Sequence, residues 1–246
     1  MTPLEQHRIE IEKNLAAWAR KPLLRRIYAA FHERILRRVD PSAPGAIVEI
    51  GAGIGQLKTA LPQAVCTDVF AHPWIDVVCD AYEMPFGDAS VSHLILFDVF
   101  HHLRAPGAFF REARRVLVPR GKVILVEPFI SVASYPVYAW LHHEPVAMKE
   151  PIDLRTALPG PLDYYAAQGN ATRIFFRREA AALLEGWHVT YTEAFSAFAY
   201  LLSGGYSKPA LYPPALLGVL QRVDGALSRF PRCFAARCLV ELQPNP

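Results

Sequence analysis

The stretch Val48-Glu49-Ile50-Gly51-Ala52-Gly53-Ile54-Gly55-Gln56 constrains this chain more than any other. A short β-branched run leads directly into three alternating glycines, which calls for a strand whose carboxyl end turns sharply around a ligand. Without a Cβ the backbone takes positive φ at little cost, and a flat ligand can approach the main chain closely. The spacing is Gly-x-Gly-x-Gly, whereas a dinucleotide fingerprint would place its third glycine where Gln56 stands. Glu49, two residues before Gly51, suits a ligand with an ammonium group better than one with a pyrophosphate. Glycine-rich turns are common after strands, so the loop alone leaves a plain strand-to-helix turn open as well.

What surrounds the loop narrows the choice. Apolar residues at Leu15, Trp18, Leu23, Ile27, Phe31, Ile35 and Val39 recur at helical spacing and predict two helices over residues 1–40, broken near Pro22. Arg25, Arg26 and Tyr28 are candidates to face the glycine loop, while Arg37 and Arg38 read as a solvated face. Asp40-Pro-Ser-Ala-Pro-Gly45 ends the helices and opens a second stretch, residues 45–246. There strand and helix signals alternate: strands at Ile47 to Ile50, Val65 to Val69, Trp74 to Cys79, Ser92 to Phe97 and Lys122 to Val126, with helices from Gly55 to Leu61 and Pro106 to Leu117. Such alternation predicts an α/β, doubly wound, mostly parallel sheet. Glu49, Asp68, Asp80 and Asp98 then stand at strand carboxyl ends, on the rim where open α/β sheets bind ligands. Each is also an ordinary turn or N-cap carboxylate. Together, with no basic phosphate clamp, they describe a site for a positively charged nucleoside without phosphates.

Five motifs in order carry a resemblance: Val48-Glu-Ile-Gly-Ala-Gly-Ile-Gly55, Asp68, Asp80-Ala-Tyr-Glu-Met-Pro-Phe-Gly-Asp88, Phe97-Asp-Val-Phe-His-His-Leu103 and Phe110-Arg-Glu-Ala-Arg-Arg-Val-Leu-Val-Pro-Arg-Gly121. Over residues 45–128 the chain resembles the class I S-adenosylmethionine-dependent methyltransferases of the type 11 group. The resemblance implies S-adenosyl-L-methionine as cofactor, with Gly51, Ala52, Gly53 and Gly55 against its methionine part and Glu49 at its amino group. It implies Asp68 on the ribose diol, Asp80 and Ala81 on adenine, and Phe97 and Asp98 over the methionine end. Arg120 departs from the glycine usual at its position, in a turn away from the crevice. The implied sheet has seven strands with the last antiparallel, for which Trp187 to Phe195 and Cys233 to Leu242 have suitable content.

A long connection at 129–176, rich in proline and aromatics, reads as an insertion over the crevice that carries acceptor contacts. It supplies His142, His143 and Glu144, which join His101 as catalytic candidates. His102 resembles the group's recurring structural histidine. No metal site is expected, since His142 and His143 lack an obvious third ligand beyond Glu144. The acceptor is expected to be a small molecule, apolar or aromatic, lipid-like or lipid-linked among the options. A nicotinamide oxidoreductase would share the sheet, but the glycine spacing and the lack of a Tyr-x-x-x-Lys pair oppose it. A non-catalytic binding protein on the same scaffold stays open.

Composition adds exclusions. With 26 basic and 23 acidic residues and a net charge of +3, the chain carries no signature of nucleic-acid binding. Cys66, Cys79, Cys233 and Cys238 show no metal or redox spacing and read as reduced core thiols. Met1 to Glu12 lacks an apolar leader, so a cytoplasmic setting is expected. Phe195 to Leu220 carries one charge, Lys208, but Gly204-Gly205 and Pro213-Pro214 prevent a single spanning helix. Leu216 to Leu227 is predicted as an amphipathic helix with Leu216, Leu217, Leu220, Val223 and Leu227 inward and Gln221, Arg222 and Asp224 outward. Phe195 to Tyr212 reads as core, as the wall of an apolar acceptor tunnel or as a loop that touches a membrane surface.

Overall fold

A computed structural model describes residues 3–142, 144–154 and 165–245. Two helices open the chain, α1 (Pro3–Arg20) and α2 (Pro22–Leu36). Pro22 separates them because its fixed φ suits a first helical turn but its missing N–H cannot continue the one before. Along α2, Leu23, Leu24, Ile27, Tyr28, Phe31, His32 and Ile35 are buried, a stripe at helical spacing that packs on one face of the sheet.

The sheet has seven strands: β1 (Ala46–Ile50), β2 (Val65–Asp68), β3 (Val77–Val78), β4 (Val91–Phe97), β5 (Leu117–Pro128), β6 (Trp187–Phe195) and β7 (Arg237–Pro244). Their order is β3-β2-β1-β4-β5-β7-β6, and β7 alone runs against the others. The central β4 is buried from Val91 through Leu96, as a parallel strand covered on both faces must be. Alternation along β7 splits its side chains between two cores. Cys238, Val240 and Leu242 join a cluster with Phe100, Phe109, Phe110 and Trp187, while Leu239 faces α2 with Ile95, Ile124 and Phe195. Each such side chain contributes about 1.5–3 kcal/mol when fully buried.

The helix α3 (Pro106–Val116) crosses back between β4 and β5. It fixes the Asp80 to Asp88 run through Arg115, which donates to Glu112, Asp88 and the carbonyls of Met84 and Phe86. Three short helices follow β6: α4 (Phe198–Leu202), α5 (Leu217–Leu227) and α6 (Pro231–Phe234). No helix among the described residues is long and apolar enough to cross a membrane.

Several sequence expectations are corrected. The helix expected from Gly55 to Leu61 is a single 3-10 turn, Leu57–Thr59, because φ is positive at Gly51, Gly53 and Gly55 and too few residues remain before Pro62 to nucleate a helix. The third strand shrinks from Trp74 to Cys79 to two residues; a turn from His72 to Ile75 occupies its start, and the Asp76 carboxylate takes the Cys66 N–H at 2.8 Å. β5 begins at Leu117 rather than Lys122, with Arg120 at φ 66°, the left-handed conformation that glycine adopts most easily. The last strand begins at Arg237, since Pro231 starts a helical turn first. In α5, Asp224 turns inward to accept from the Ser196 hydroxyl and the N–H groups of Phe198 and Ala199, while Leu216 and Val223 are exposed. Cys233 is exposed, unlike the other three thiols, and all four are free.

Candidate active site

The glycine loop is held in shape from three sides. Ala52 N–H bonds the Thr67 carbonyl at 2.8 Å, Gly53 N–H bonds Asp68 Oδ2 at 3.0 Å, and the Trp74 indole donates to the Gly53 carbonyl at 2.7 Å. At Gly51, with φ 66°, an added Cβ would stand 2.6 Å from Val99 Cγ2, so β4's following loop requires glycine there. Next to Gly53 an added Cβ would meet only Ile11 Cδ1, at 3.9 Å, so this glycine leaves open space where a ligand can approach the backbone.

Glu49 ends in that loop but is only 4 % exposed, and its hydrogen-bond partner is the weakly donating Cys66 thiol at 3.5 Å. Burial pushes its carboxyl up to about 8, with the nearby Asp68 charge adding to the effect and the Cys66 contact opposing it. A buried acid so poorly compensated fits an ammonium or sulfonium ligand, whose arrival would return it to the carboxylate form. Asp68 accepts from Gly53 N–H and, through Oδ1, from Phe70 N–H at 3.3 Å. Asp80 lies exposed beyond β3 and accepts the Tyr82 N–H at 2.9 Å, with Ala81 buried beside it.

On the other side of the rim the arrangement departs further from the four converging acids. Asp98, one residue past β4 with φ 58°, turns toward Arg237, its Oδ1 lying 2.7 Å from Nη2. Phe97 stacks on Tyr28 at 5.3 Å, and Tyr28 also meets Tyr200 and Tyr206 edge-on. Tyr206 in turn accepts from the Gln56 amide. Of the three N-terminal residues expected at the loop, only Tyr28 approaches the crevice. Arg25 folds back onto the carbonyls of Trp18 and Ala19, and Arg26 reaches toward Pro214.

His101 is 3 % exposed and sits between two carboxylates, Nδ1 at 2.6 Å from Glu127 and Nε2 at 3.4 Å from Glu144. Burial alone would lower its pKa, but the two acids together raise it to about 10. At neutral pH it is therefore an imidazolium, a fixed cation rather than a proton acceptor. Glu127 also takes the N–H groups of Val99 and Phe100 at 2.9 and 2.7 Å, pinning the loop after β4. The insertion docks on the same loop: Ala167 N–H bonds the His101 carbonyl at 2.9 Å, and Gln168 holds Glu144 at 2.6 Å. His142 lies 3.7 Å from Glu144, and His102, whose pKa burial lowers, donates to the Tyr165 carbonyl. His143 and the insertion's residues 155–164 lie outside the described residues. Two groups, His101 with His102 and Glu144, and His101 with Asp98 and Glu127, bring donor atoms within 4.8 Å of one another. A metal there would first have to displace the proton that His101 holds.

A recess of about 530 Å³ opens on the insertion between Arg104, Glu150, Asp153 and Tyr165, with none of its walls from the glycine loop. Residue-type reasoning missed Glu127, Arg237, Tyr200 and Tyr206. Glu127 was within reach, being an acid at the end of β5 like those singled out on the other strands.

The sheet order, the antiparallel last strand and the loop after β1 are those of the Rossmann-like methyltransferase fold. Residues 48–125 match the family model described as a methyltransferase domain, the type 11 group. No curated protein matches the chain in sequence. Among solved structures it is similar to a geranyl diphosphate methyltransferase in complex with SAM, at 14 % identity and a TM-score of 0.52, covering 87 % of this chain and 84 % of that one. It is also similar to phosphoethanolamine N-methyltransferase 2 of Haemonchus contortus, at 15 % identity and a TM-score of 0.50, covering 88 % of this chain and 53 % of that one. Both likenesses are of fold.

Proposed function

We propose that the chain transfers the methyl group of S-adenosylmethionine to a small acceptor with an apolar or aromatic body, seated over the ends of β4 and β5. The observation that carries this is the ring cluster of Tyr28, Phe97, Tyr200 and Tyr206, drawn from three separated segments to the rim beside Asp98. The glycine loop and Glu49 would hold the methionine end, Asp68 the ribose hydroxyls, and Asp80 with Ala81 the adenine. When bound, the sulfonium supplies an activated methyl group. The residues' own work is alignment and exclusion of water: the S–CH3 bond breaks as the acceptor bond forms in line with it.

His101 has a positioning role in this scheme, since its proton is already in place. Glu144, Gln168 and His142, hydrogen-bonded through Gln168 and next to His101, would contact the acceptor. Leu211, Leu216, Val219 and Val223, all exposed, support approach of a lipid-like acceptor from a membrane surface. Vesicle flotation that is lost in Val219→Asp checks that contact.

Calorimetry tests the cofactor assignment. S-adenosylmethionine and its demethylated product should bind, NAD should not, and Asp68→Ala should weaken binding by about 1.5–3 kcal/mol. Transfer of labelled methyl from the cofactor into a panel of apolar and aromatic small molecules tests the activity. Tighter binding of NAD, or no cofactor binding by the folded protein, refutes the proposal.

A further inference from the structure

Arg237 is the first residue of β7 and lies opposite Pro128 of β5 and Phe195 of β6, at the rim of the sheet. It is only 2 % exposed, yet Nε and Nη2 have no hydrogen-bond acceptor among the described residues. These two nitrogens share the edge of the guanidinium that grips an oxyanion with two parallel bonds. Asp98 supplies a countercharge at 2.7 Å from Nη2, but its Oδ1 is also without a hydrogen bond, so the pair is close without being aligned. The walls are aromatic: the rings of Phe31, Phe97 and Tyr200 stand 5.4–5.5 Å from the guanidinium carbon. A buried cation whose bidentate edge faces a carboxylate without an aligned hydrogen bond is costly to keep for structure alone, because unmade bonds to charged groups in a low dielectric are penalised most. Asp98, with a side chain 29 % exposed, marks the side open to solvent.

We propose that the Nε–Nη2 edge of Arg237 is an acceptor subsite for an oxyanion, a carboxylate or a phosphate, carried by a molecule whose apolar or aromatic body lies against Phe97, Tyr28 and Tyr200. The inference rests on the methyltransferase assignment above and names the acceptor class: an acidic small molecule. The incoming oxyanion takes the place of Asp98, whose side chain moves toward solvent. Placement supports the acceptor rather than the cofactor. Arg237 stands at the β5–β7–β6 end of the sheet, with β4 and β5 between it and the glycine loop that follows β1.

The test uses the whole protein saturated with S-adenosylhomocysteine. Benzoate and phenyl phosphate are titrated against it by calorimetry, with benzamide and benzyl alcohol as neutral counterparts. At least one acid should bind tenfold or more tightly than its neutral counterpart, and which acid wins separates carboxylate from phosphate. Arg237→Met should bind S-adenosylhomocysteine within twofold of the parent and lose the acid at least tenfold. Arg237→Lys, which keeps the charge but not the paired edge, serves if the Met variant does not fold, and should show the same split. Equal binding of acid and neutral counterpart, or binding of neither, overturns the proposal. So does a tenfold loss of S-adenosylhomocysteine affinity in either variant, which would make Arg237 a partner of the cofactor's own carboxylate. If the parent binds no S-adenosylhomocysteine, the methyltransferase assignment fails instead, and that result stands apart from the acid titrations.

Discussion

Replacing Glu49 by glutamine should make the cofactor-free protein more stable and bind its cofactor less well. The carboxyl is buried against the glycine loop with a thiol as its hydrogen-bond partner, and burial raises its pKa from 4.5 to about 8. An acid whose folded pKa is raised binds its proton more tightly in the folded state. Between 4.5 and about 8 the folded chain therefore holds a proton that the unfolded chain has released, and stability falls as pH rises. One pKa unit corresponds to about 1.4 kcal/mol, so the contribution lost between about pH 5 and pH 7 is about 2–3 kcal/mol. Glutamine does not titrate and keeps the shape. Urea unfolding of both proteins at several pH values should show a stability gap in favour of Glu49→Gln that widens by that amount over the interval. His32 and His101 contribute the same pH dependence to both proteins, so their effects cancel in the difference. Cofactor binding should move the other way, because an ammonium beside Glu49 restores the carboxylate. Affinity of the parent should rise with pH, and the variant should lose about 1.5–3 kcal/mol of binding at pH 8. A gap that stays flat with pH, or a variant less stable than the parent above pH 7, would refute the account of Glu49 as a buried, under-compensated acid.

Gly51→Ala should lose about 1–3 kcal/mol of stability in urea unfolding, because φ is 66° and the new Cβ would stand 2.6 Å from Val99. His101→Gln should cost about 3–5 kcal/mol at neutral pH, since Glu127, fully buried, loses its cationic partner. Its raised pKa makes that contribution complete below 6.5 and fading as pH climbs toward about 10, so thermal melts at pH 7 and pH 9.5 should show the gap narrowing. Glu144→Gln should leave S-adenosylhomocysteine affinity within about twofold while slowing methyl transfer about tenfold or more, as expected for loss of a single positioned polar group. Unfolding, or loss of cofactor binding in that variant, would show Glu144 to be structural.

Periodicity and punctuation sufficed for much of the frame. The run before Gly51 could only be a strand, Pro22 had to divide the first two helices, and Ser92 to Phe97, apolar over its last four residues, had to lie in the middle of a covered sheet. These are local properties: residue type fixes backbone freedom, and spacing fixes which side chains share a face. Element ends were less legible where a distant group competed for the backbone. The Asp76 carboxylate shortened β3 and Asp224 turned inward to hold the start of α4, and neither partner is near in sequence. In the proposed site, the loop glycines and Glu49 are legible in sequence because their neighbours in sequence are their neighbours in space. Arg237 does not. An arginine ahead of a strand reads as a surface charge until the antiparallel return of β7 places it beside β5 and β6, under the rings of α2, β4 and α4. His101 likewise reads as a base until folding brings Glu127 and Glu144 to either side of it and leaves it charged. Sequence thus determined which backbone could cradle a ligand, whereas the fields acting on the titratable groups were decided only by tertiary structure, because charge and burial depend on what lies nearby in space and not along the chain.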